Sequence, residues 1–408
     1  MESGTDKHAL TETVDPRLHR GANQSGMRDH NERLVLSLVR LHGSLSKSDI
    51  TRRTGLSAQT ISVIMRELER DGLLLKQAPK RGRIGQPSVP MSLNPDGAFF
   101  IGLKIGRRSC DLLLIDFLGS TRASLRLSYR YPVFCDTVEF VSNGLTKLCA
   151  SLSPAQQKRI AGLGIAMPFR LWEWAQKTAA PDKTVTEHQP PDIRAAIQPL
   201  CDYPVFLQND ATAACGAELV FGQTGMLRDF VYFYIGALAG GGIVLGGRLY
   251  TGPTGNAGAL GSMPVPGKNG QPAQLLDIAS IAVLEKRLNA QGIKAPHLWT
   301  TPEDWGDLGP IVDEWIKDAA SALAHAIISS ASVIDFEAAI IDGWMPVSVR
   351  ERLFEALCEA IGKIDTDDLC VPHVRQGTIG IHARALGAAS LPLSERFLIG
   401  PALAAGST

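Results

Sequence analysis

No stretch of the 408 residues reaches 18 consecutive apolar side chains, so a membrane-spanning helix is not expected. The N-terminus lacks a basic segment followed by an apolar one, which argues against a secretory leader and places the chain in the cytoplasm. Cysteine is sparse. Its seven positions (Cys110, Cys135, Cys149, Cys201, Cys215, Cys358 and Cys370) include no C-x-x-C pair. An odd, unpatterned set in a long chain excludes a disulfide framework and predicts buried free thiols. Net charge is missing too, since 41 Lys and Arg meet 41 Asp and Glu.

What is present is unevenly spread. Between Ser44 and Pro90 nine basic residues stand against four acidic ones, a local excess of +5 that the remainder must offset with −5. The stretch "KQAPKRGRIGQPSVPMSLNP" from Lys76 concentrates Lys80, Arg81 and Arg83 on a Gly/Pro-rich ribbon with little to fill a core. A small basic module on a larger, mildly acidic body suits a polyanion-binding head.

The order of elements sharpens this. Residues 1–27 are polar without periodicity and read as a disordered tail. A helix follows from Asn31, with Leu34, Val35, Leu38 and Leu41 on one stripe and Gly43 as its stop. Ser46 with Asp49 forms a capping-box pattern, Gly55 suits a C-terminal cap, and Ser57 an N-cap. The helix after Ser57 has Ile61, Ile64 and Leu68 on one face and ends at Gly72. Two short helices across a tight Gly-Leu turn make a helix-turn-helix candidate. "LLLKQA" and "PSVPMSL" would form a two-stranded wing with the basic ribbon at its tip.

From Ala98 the pattern changes to strand pairs at 99–105 and 110–117, a third strand "LRLSYRY", a helix near 136–151 and a strand at 161–168. "PVFLQND" leads into a helix. "FVYFYIGALAGGGIVLGGRLY" then repeats the strand–Gly turn–strand theme, with helices near 311–330, 348–363 and 378–389 around a strand at 338–343. The repetition suggests a duplicated α/β fold with a cleft between lobes.

Over residues 30–393 these segments together resemble the ROK family (repressors, open reading frames and kinases), in its xylose- and N-acetylglucosamine-repressor branch. The resemblance rests on the head plus "IGLKIGRRSCDLLLIDFLG", "QNDATAACGAELVFG", "GALAGGGIVLGGRLYTGPTGNAGALGSM" and "ARALGAASLPL". It implies an α/β chain: an N-terminal winged helix-turn-helix followed by a two-lobed actin-like (sugar kinase/ribonuclease H-like) ATPase fold.

The departures from the family's kinases are informative. Those kinases carry D-x-G-G-T in the first hairpin, whose acid organises the metal–phosphate end of ATP. Here Lys104 stands at the acid's place and Arg107-Arg108 replace Gly-Thr. The second phosphate turn, G-T-G-x-G-G-G in kinases, reads Gly236-Ala237-Leu238-Ala239-Gly240-Gly241-Gly242. Ala259 and Ser262 replace a Glu and a His that help hold the sugar, and the zinc-binding cysteines of the family are missing, so no metal and no cofactor are expected. Gln208-Asn209-Asp210 survives. The resemblance makes Asn209 and Asp210 sugar contacts, whereas the local pattern also allows Asp210 simply to cap the helix starting at Ala211. Pro168, Trp172, Gly258 and Ala259 complete the expected effector contacts. Trp172 and Trp174 either stack on ligand or anchor their loop in the core.

In a winged helix-turn-helix the second motif helix enters the major groove. That assigns Ala58, Gln59, Thr60, Ser62 and Arg66, with Ser57 at the start, to the DNA face. Gln59 suits adenine, and Thr60 or Ala58 a thymine methyl. Ser46, Lys47 and Ser48 would hold phosphate. "RGRIGQP" resembles the Arg-Gly-Arg core of an AT-hook. Gly82 would lie flat in a narrow minor groove with Arg81 and Arg83 along its floor and Gln86 adding a contact; a wing loop touching phosphates alone is the alternative.

The expectation is therefore a DNA-binding transcriptional regulator, a repressor and not an enzyme, controlled by a small carbohydrate between catalytically inactive lobes. It would act as a homodimer or dimer of dimers on double-stranded DNA with A·T-rich flanks. Expected boundaries are a head at 28–95, a body at 96–393 (first lobe about 98–210 plus 378–393, second about 211–377) and a tail at 394–408. A sugar kinase with a DNA-binding head and a ligand-independent dimeric repressor are the rivals.

Overall fold

The computed structural model describes residues 24–79, 88–172, 192–267 and 270–399. Three helices open the described residues: α1 Gln24–His42, α2 Lys47–Thr54 and α3 Ala58–Arg70. The first starts several residues before the sequence suggested. Its buried face is Val35, Leu36 and Val39, while Leu41 at the end of the expected stripe is 51% exposed. Both caps of α2 form as read: Ser46 and Asp49 make a reciprocal capping box, and Gly55 takes φ 69°, a left-handed conformation that glycine adopts without penalty. Ser57 accepts from the Thr60 N–H to start α3, which buries Ile61, Ile64, Met65 and Leu68. The wing strands β2 Leu74–Lys76 and β3 Met91–Leu93 pair antiparallel, with β1 Ser44–Leu45 on the other side of β3.

Two five-stranded sheets build the body. The first has the order β6-β5-β4-β7-β8, from β4 Phe99–Ile105, β5 Ser109–Asp116, β6 Thr121–Ser128, β7 Ile160–Ala166 and β8 Val205–Gln208. Every residue of β4 is buried, as a central strand covered on both faces must be, while the edge strand β6 alternates between exposed and half-buried residues. Helices α4 Phe134–Ala150 and α5 Ile193–Ile197 lie against this sheet's own core. After α6 Asp210–Phe221 the second sheet has the order β11-β10-β9-β14-β15. It comprises β9 Phe230–Ile235, β10 Ala239–Leu245, β11 Arg248–Tyr250, β14 Ala338–Gly343 and β15 His373–Gln376, with the small hairpin β12 Pro264–Pro266 and β13 Pro272–Gln274 beside it. Helices α7 Ile281–Ala290, α8 Pro310–Ala331 and α9 Val347–Ile361 cover it. The repeated pattern, two antiparallel pairings joined to two parallel ones, is the duplicated half predicted from the recurring strand–turn–strand theme.

The last helix, α10 Ala383–Phe397, returns to the first sheet. It begins and ends later than the expected 378–389, so the segment taken as a tail from 394 is still helical to Phe397. Its backbone lies so close to β7 that a Cβ on Gly164 would meet the Ala388 carbonyl oxygen at 1.8 Å. A Cβ on Gly387 would likewise meet Ala213 O, on α6, at 2.0 Å. These glycines let α10 pass between α6 and the sheet.

All seven cysteines are free, but burial holds only for some: Cys110 and Cys215 are buried, whereas Cys135, Cys358 and Cys370 are exposed. Their helix or loop places them outward, where a small thiol costs little. Among the described residues no helix is long and apolar enough to cross a membrane.

Candidate functional site

Two regions carry the predicted residues. On the head, α3 turns Ala58, Gln59, Val63 and Arg66 to solvent, with Ser62 half-buried beside them. Lys47 at the start of α2 donates to Ser62 Oγ at 3.0 Å, so the helix start and the exposed face of α3 form one continuous surface with exposed Ser48. Three expected contacts also serve the fold. Ser46 is 6% exposed and bonded to Asp49 Oδ2 at 2.6 Å, because closing the capping box draws its hydroxyl into the turn and away from any phosphate. Ser57 and Thr60 bond each other across the first turn of α3 at 2.8 Å. Lys80, Arg81, Gly82, Arg83 and Gln86 lie outside the described residues.

The head is seated firmly on the first lobe. Phe397 packs against Phe117 (5.0 Å between centroids) and Phe100 (5.7 Å), beneath α1. The Arg40 guanidinium lies over the Phe117 ring and donates to the Phe117 carbonyl; burial pushes its pKa down to about 10, against the pull of Asp116. Ile399 N donates to Ser37 Oγ at 3.0 Å, just beyond the end of α10. Arg159 closes the other side by donating to the carbonyls of Asp71 and Gly97.

Between the lobes lies a cavity of about 180 Å³. Pro168, Asn209, Asp210, Gly258 and Ala259, the expected effector contacts, all line it. Trp172 does not. It is 7% exposed and packs edge-on against Phe134 at 5.4 Å, in the first lobe's own core, because the turn after β7 folds back on α4. Trp174 lies outside the described residues.

The capping question resolves against Asp210. The helix starts at Asp210 itself, and the cap is Asn209, whose side chain accepts from Ala211 N at 3.0 Å and Thr212 N at 3.3 Å. Asp210 is thereby released to face the cavity, where Arg384 Nη1 reaches its Oδ2 at 3.3 Å. Arg384 stands on the first turn of α10 and stacks over Tyr234 (5.1 Å) and Trp344 (5.7 Å). Arg107 lines the same cavity, half-buried; burial lowers its pKa, opposed by the Asp210 charge. Sequence reading missed Arg384 and Tyr234, whose only signals were an arginine inside an alanine-rich helix and a tyrosine within an apolar strand.

Lys104, at the place of the kinases' acid, is turned away from the cavity. It is 4% exposed, does not line the cavity, and donates to Asp111 Oδ2 (2.8 Å), Ser109 Oγ (2.6 Å) and Ser109 O (3.1 Å). The β4–β5 register places Lys104 directly opposite Asp111, which explains the retraction. Burial, together with the nearby Arg384 charge, pushes the Lys104 pKa down to about 8. Around this pair, cations and indoles bridge the lobes. Arg126 lies 5.0 Å from the Trp344 ring centroid and donates to Trp299 O at 3.3 Å, and Arg108 lies over Trp299 and 3.5 Å from Glu285. The second expected phosphate turn is also occupied. Ser280 Oγ accepts from the Ala239 N–H at 2.8 Å, and the Gly236 carbonyl accepts from Ile281 N. That removes one backbone donor a phosphate cradle needs.

The zinc that the family resemblance implies does not fit: Ser262 stands where its His ligand would be, and no cysteine lies between Cys215 and Cys358 to supply the other three ligands. Among the described residues no group of three or more His, Cys, Asp or Glu is arranged to hold a metal.

Comparison with known proteins agrees with this architecture. Residues 100–395 match the ROK family model, and residues 28–74 match the winged helix-turn-helix DNA-binding model. An uncharacterised protein of Sinorhizobium fredii is 25% identical over 92% of this chain and 94% of its own length. The xylose repressor of Caldicellulosiruptor bescii is 23% identical over 59% of each chain, so the alignment spans about three fifths of that relative. Among solved structures, a ROK family transcriptional regulator described as a homologue of the Escherichia coli MLC protein superposes with a TM-score of 0.65. It is 19% identical over 91% of this chain and 97% of that one, a likeness of fold. The chain belongs to the ROK family, with a winged helix-turn-helix head on a two-lobed actin-like body.

Proposed function

We propose that this ROK family member is a sequence-specific DNA-binding transcriptional repressor whose body binds a carbohydrate between its lobes and transfers no phosphate. The observation that carries the reading is α10. A single helix carries Arg384 at the cavity on its first turn and Phe397 under the head at its end, so a ligand that moves Arg384 pushes on the seat of α1. Coupling of this kind needs only a ligand that favours one lobe arrangement over the other. The chain's similarity to a xylose repressor over about three fifths of its length supports both halves of the reading.

On DNA, Gln59 and Arg66 would read base edges while Lys47 and Ser48 hold phosphate, with two heads of a homodimer spanning a two-fold operator. Arg81 and Arg83 would add minor-groove contacts to A·T-rich flanks; changing both to Lys separates this from a wing that touches phosphates alone, since only the former loses its A·T preference.

Selection of bound sequences from random duplexes by the full chain, followed by sugar titration of the selected site, tests the proposal. A recovered two-fold site whose affinity shifts with a sugar supports it. Binding to all duplexes alike, or a ligand that binds without shifting operator affinity, sinks it.

A kinase reading draws on one specific observation: Asp210 faces the cavity, where a base for a sugar hydroxyl would stand. Against it are Lys104 bonded to Asp111 where a metal-binding acid is required, and the engaged 236–242 turn. ATP turnover over a sugar panel decides between the two.

A further inference from the structure

The exposed face of α3 carries one large apolar side chain among polar ones. Gln59, Val63 and Arg66 are all exposed, and at about 100° per residue they fall within about 60° of one another around the helix. Val63 is 40% exposed, while Ile61, Ile64 and Met65 on either side of it are buried in the head's core. Helix formation does not call for it, since a β-branched residue is a weaker helix former than Gln59 or Arg66. The polar groups next to it are engaged. Ser62 Oγ accepts from Lys47 Nζ at 3.0 Å, and the Thr60 hydroxyl shares a hydrogen bond with Ser57 at 2.8 Å.

A lone exposed valine elsewhere on the surface would carry no meaning. This one stands on the second helix of the helix-turn-helix, the element that enters the major groove. Base edges present donors and acceptors there, and one apolar group, the C5-methyl of thymine. An isopropyl group pressed on a donor or acceptor strips its water and returns no hydrogen bond, which is costly. Pressed on the methyl, it removes apolar surface from water on both sides. From Gln59 to Val63 the helix advances about 6 Å, and neighbouring base pairs are about 3.4 Å apart, so the two side chains would reach pairs within about two steps of each other.

Building on the DNA-reading proposal above, we infer that Val63 is a specificity-determining residue that selects thymine, through its C5-methyl, at a base pair within about two steps of the one read by Gln59. Cytosine is rejected there because it carries no methyl group. The methyl projects into the major groove, so contacts of a wing in the minor groove do not respond to it.

Deoxyuridine differs from thymidine only by that methyl, and it isolates the contact. The full chain first selects duplexes from a random pool. Each thymidine of the recovered site is then replaced in turn by deoxyuridine, and affinities are read by fluorescence anisotropy. The expected result is one position in each half-site at which the replacement weakens binding by about fourfold, the worth of one buried methyl group. Val63→Ala should bind the two duplexes alike at that position. Because Val63 is exposed, this variant should fold as the parent does, which circular dichroism checks. Thr60→Ser removes the neighbouring methyl, keeps the hydroxyl, and should leave the difference in place. A recovered site insensitive to deoxyuridine at every thymidine overturns the assignment of Val63 and leaves sequence-specific binding standing. So does a sensitivity that survives Val63→Ala, or one that disappears in Thr60→Ser. A selection that recovers no sequence in preference to random DNA overturns the DNA-reading proposal, and this inference with it.

Discussion

Arg384 and Phe397 share one helix, thirteen residues apart. The first is paired with Asp210 in the cleft, and the second is wedged against Phe100 and Phe117 beneath α1. At 1.5 Å per residue the two lie about 20 Å apart along a helix that contains Pro392, whose missing N–H removes one internal hydrogen bond.

Truncating the distal end should expose that role. Phe397→Ala removes a buried ring from the head–lobe junction and is expected to destabilise the chain by about 3–5 kcal/mol. In denaturant titrations this appears as a lowered midpoint. Operator affinity should in addition stop responding to the ligand, and a variant that retains its full response would show that α10 is not the link.

The two residues at the start of α6 should separate by mechanism. Asn209→Ala loses a helix cap worth about 1 kcal/mol. Asp210→Ala leaves the Arg384 guanidinium buried without its carboxylate, a loss of about 3–5 kcal/mol. Thermal unfolding that ranks Asn209→Ala as the more damaging would contradict this assignment of cap and ion-pair partner.

Lys104 should titrate early. Its folded pKa of about 8 lies below the value of 10.5 for an unperturbed lysine. Between these two values the unfolded chain holds a proton that the folded chain has released, so this group makes unfolding harder as pH rises through the window. Below about 8 both states are protonated, and the cost of burying the charge stays constant. Carbon-13 NMR of lysine Cε should find one resonance with a midpoint near 8 that vanishes in Lys104→Met. No lysine titrating below about 9.5 would contradict the buried pairing.

On the head, Gln59→Ala should weaken selected-site binding by about 1–3 kcal/mol and relax preference at one base position. Lys47→Ala should weaken binding to all sequences alike and reduce the slope of log affinity against log salt by about one. Electrophoretic mobility shifts over a salt series read both. Equal effects of Gln59→Ala on specific and random DNA would remove Gln59 from base readout.

Much of the head was legible because its signals are local. Ser46, Asp49, Gly55 and Ser57 each act on atoms within four residues, so the caps formed where the pattern placed them. Glycine turns between apolar runs likewise marked both sheets. The readings that stayed open were those where neighbouring residues or roles competed for one task. Asn209 and Asp210 are both good caps, and the end of β8 at Gln208 decided for Asn209. Trp172 offered the same composition for a ligand platform as for a core anchor, and Phe134 on α4 settled it.

Read along the chain, the residues determined a winged head, a duplicated body and the lost kinase signature, since each depends on side-chain type at short spacing. Only the tertiary structure decided what replaced that signature: Lys104 retired onto Asp111 through strand register, Arg126 crossing to Trp299, and Arg384 meeting Asp210 from 174 residues away. A hydrogen bond within a turn is set by a few dihedral angles. A contact between distant residues is set by how sheets and helices pack, and no short window of sequence contains that geometry.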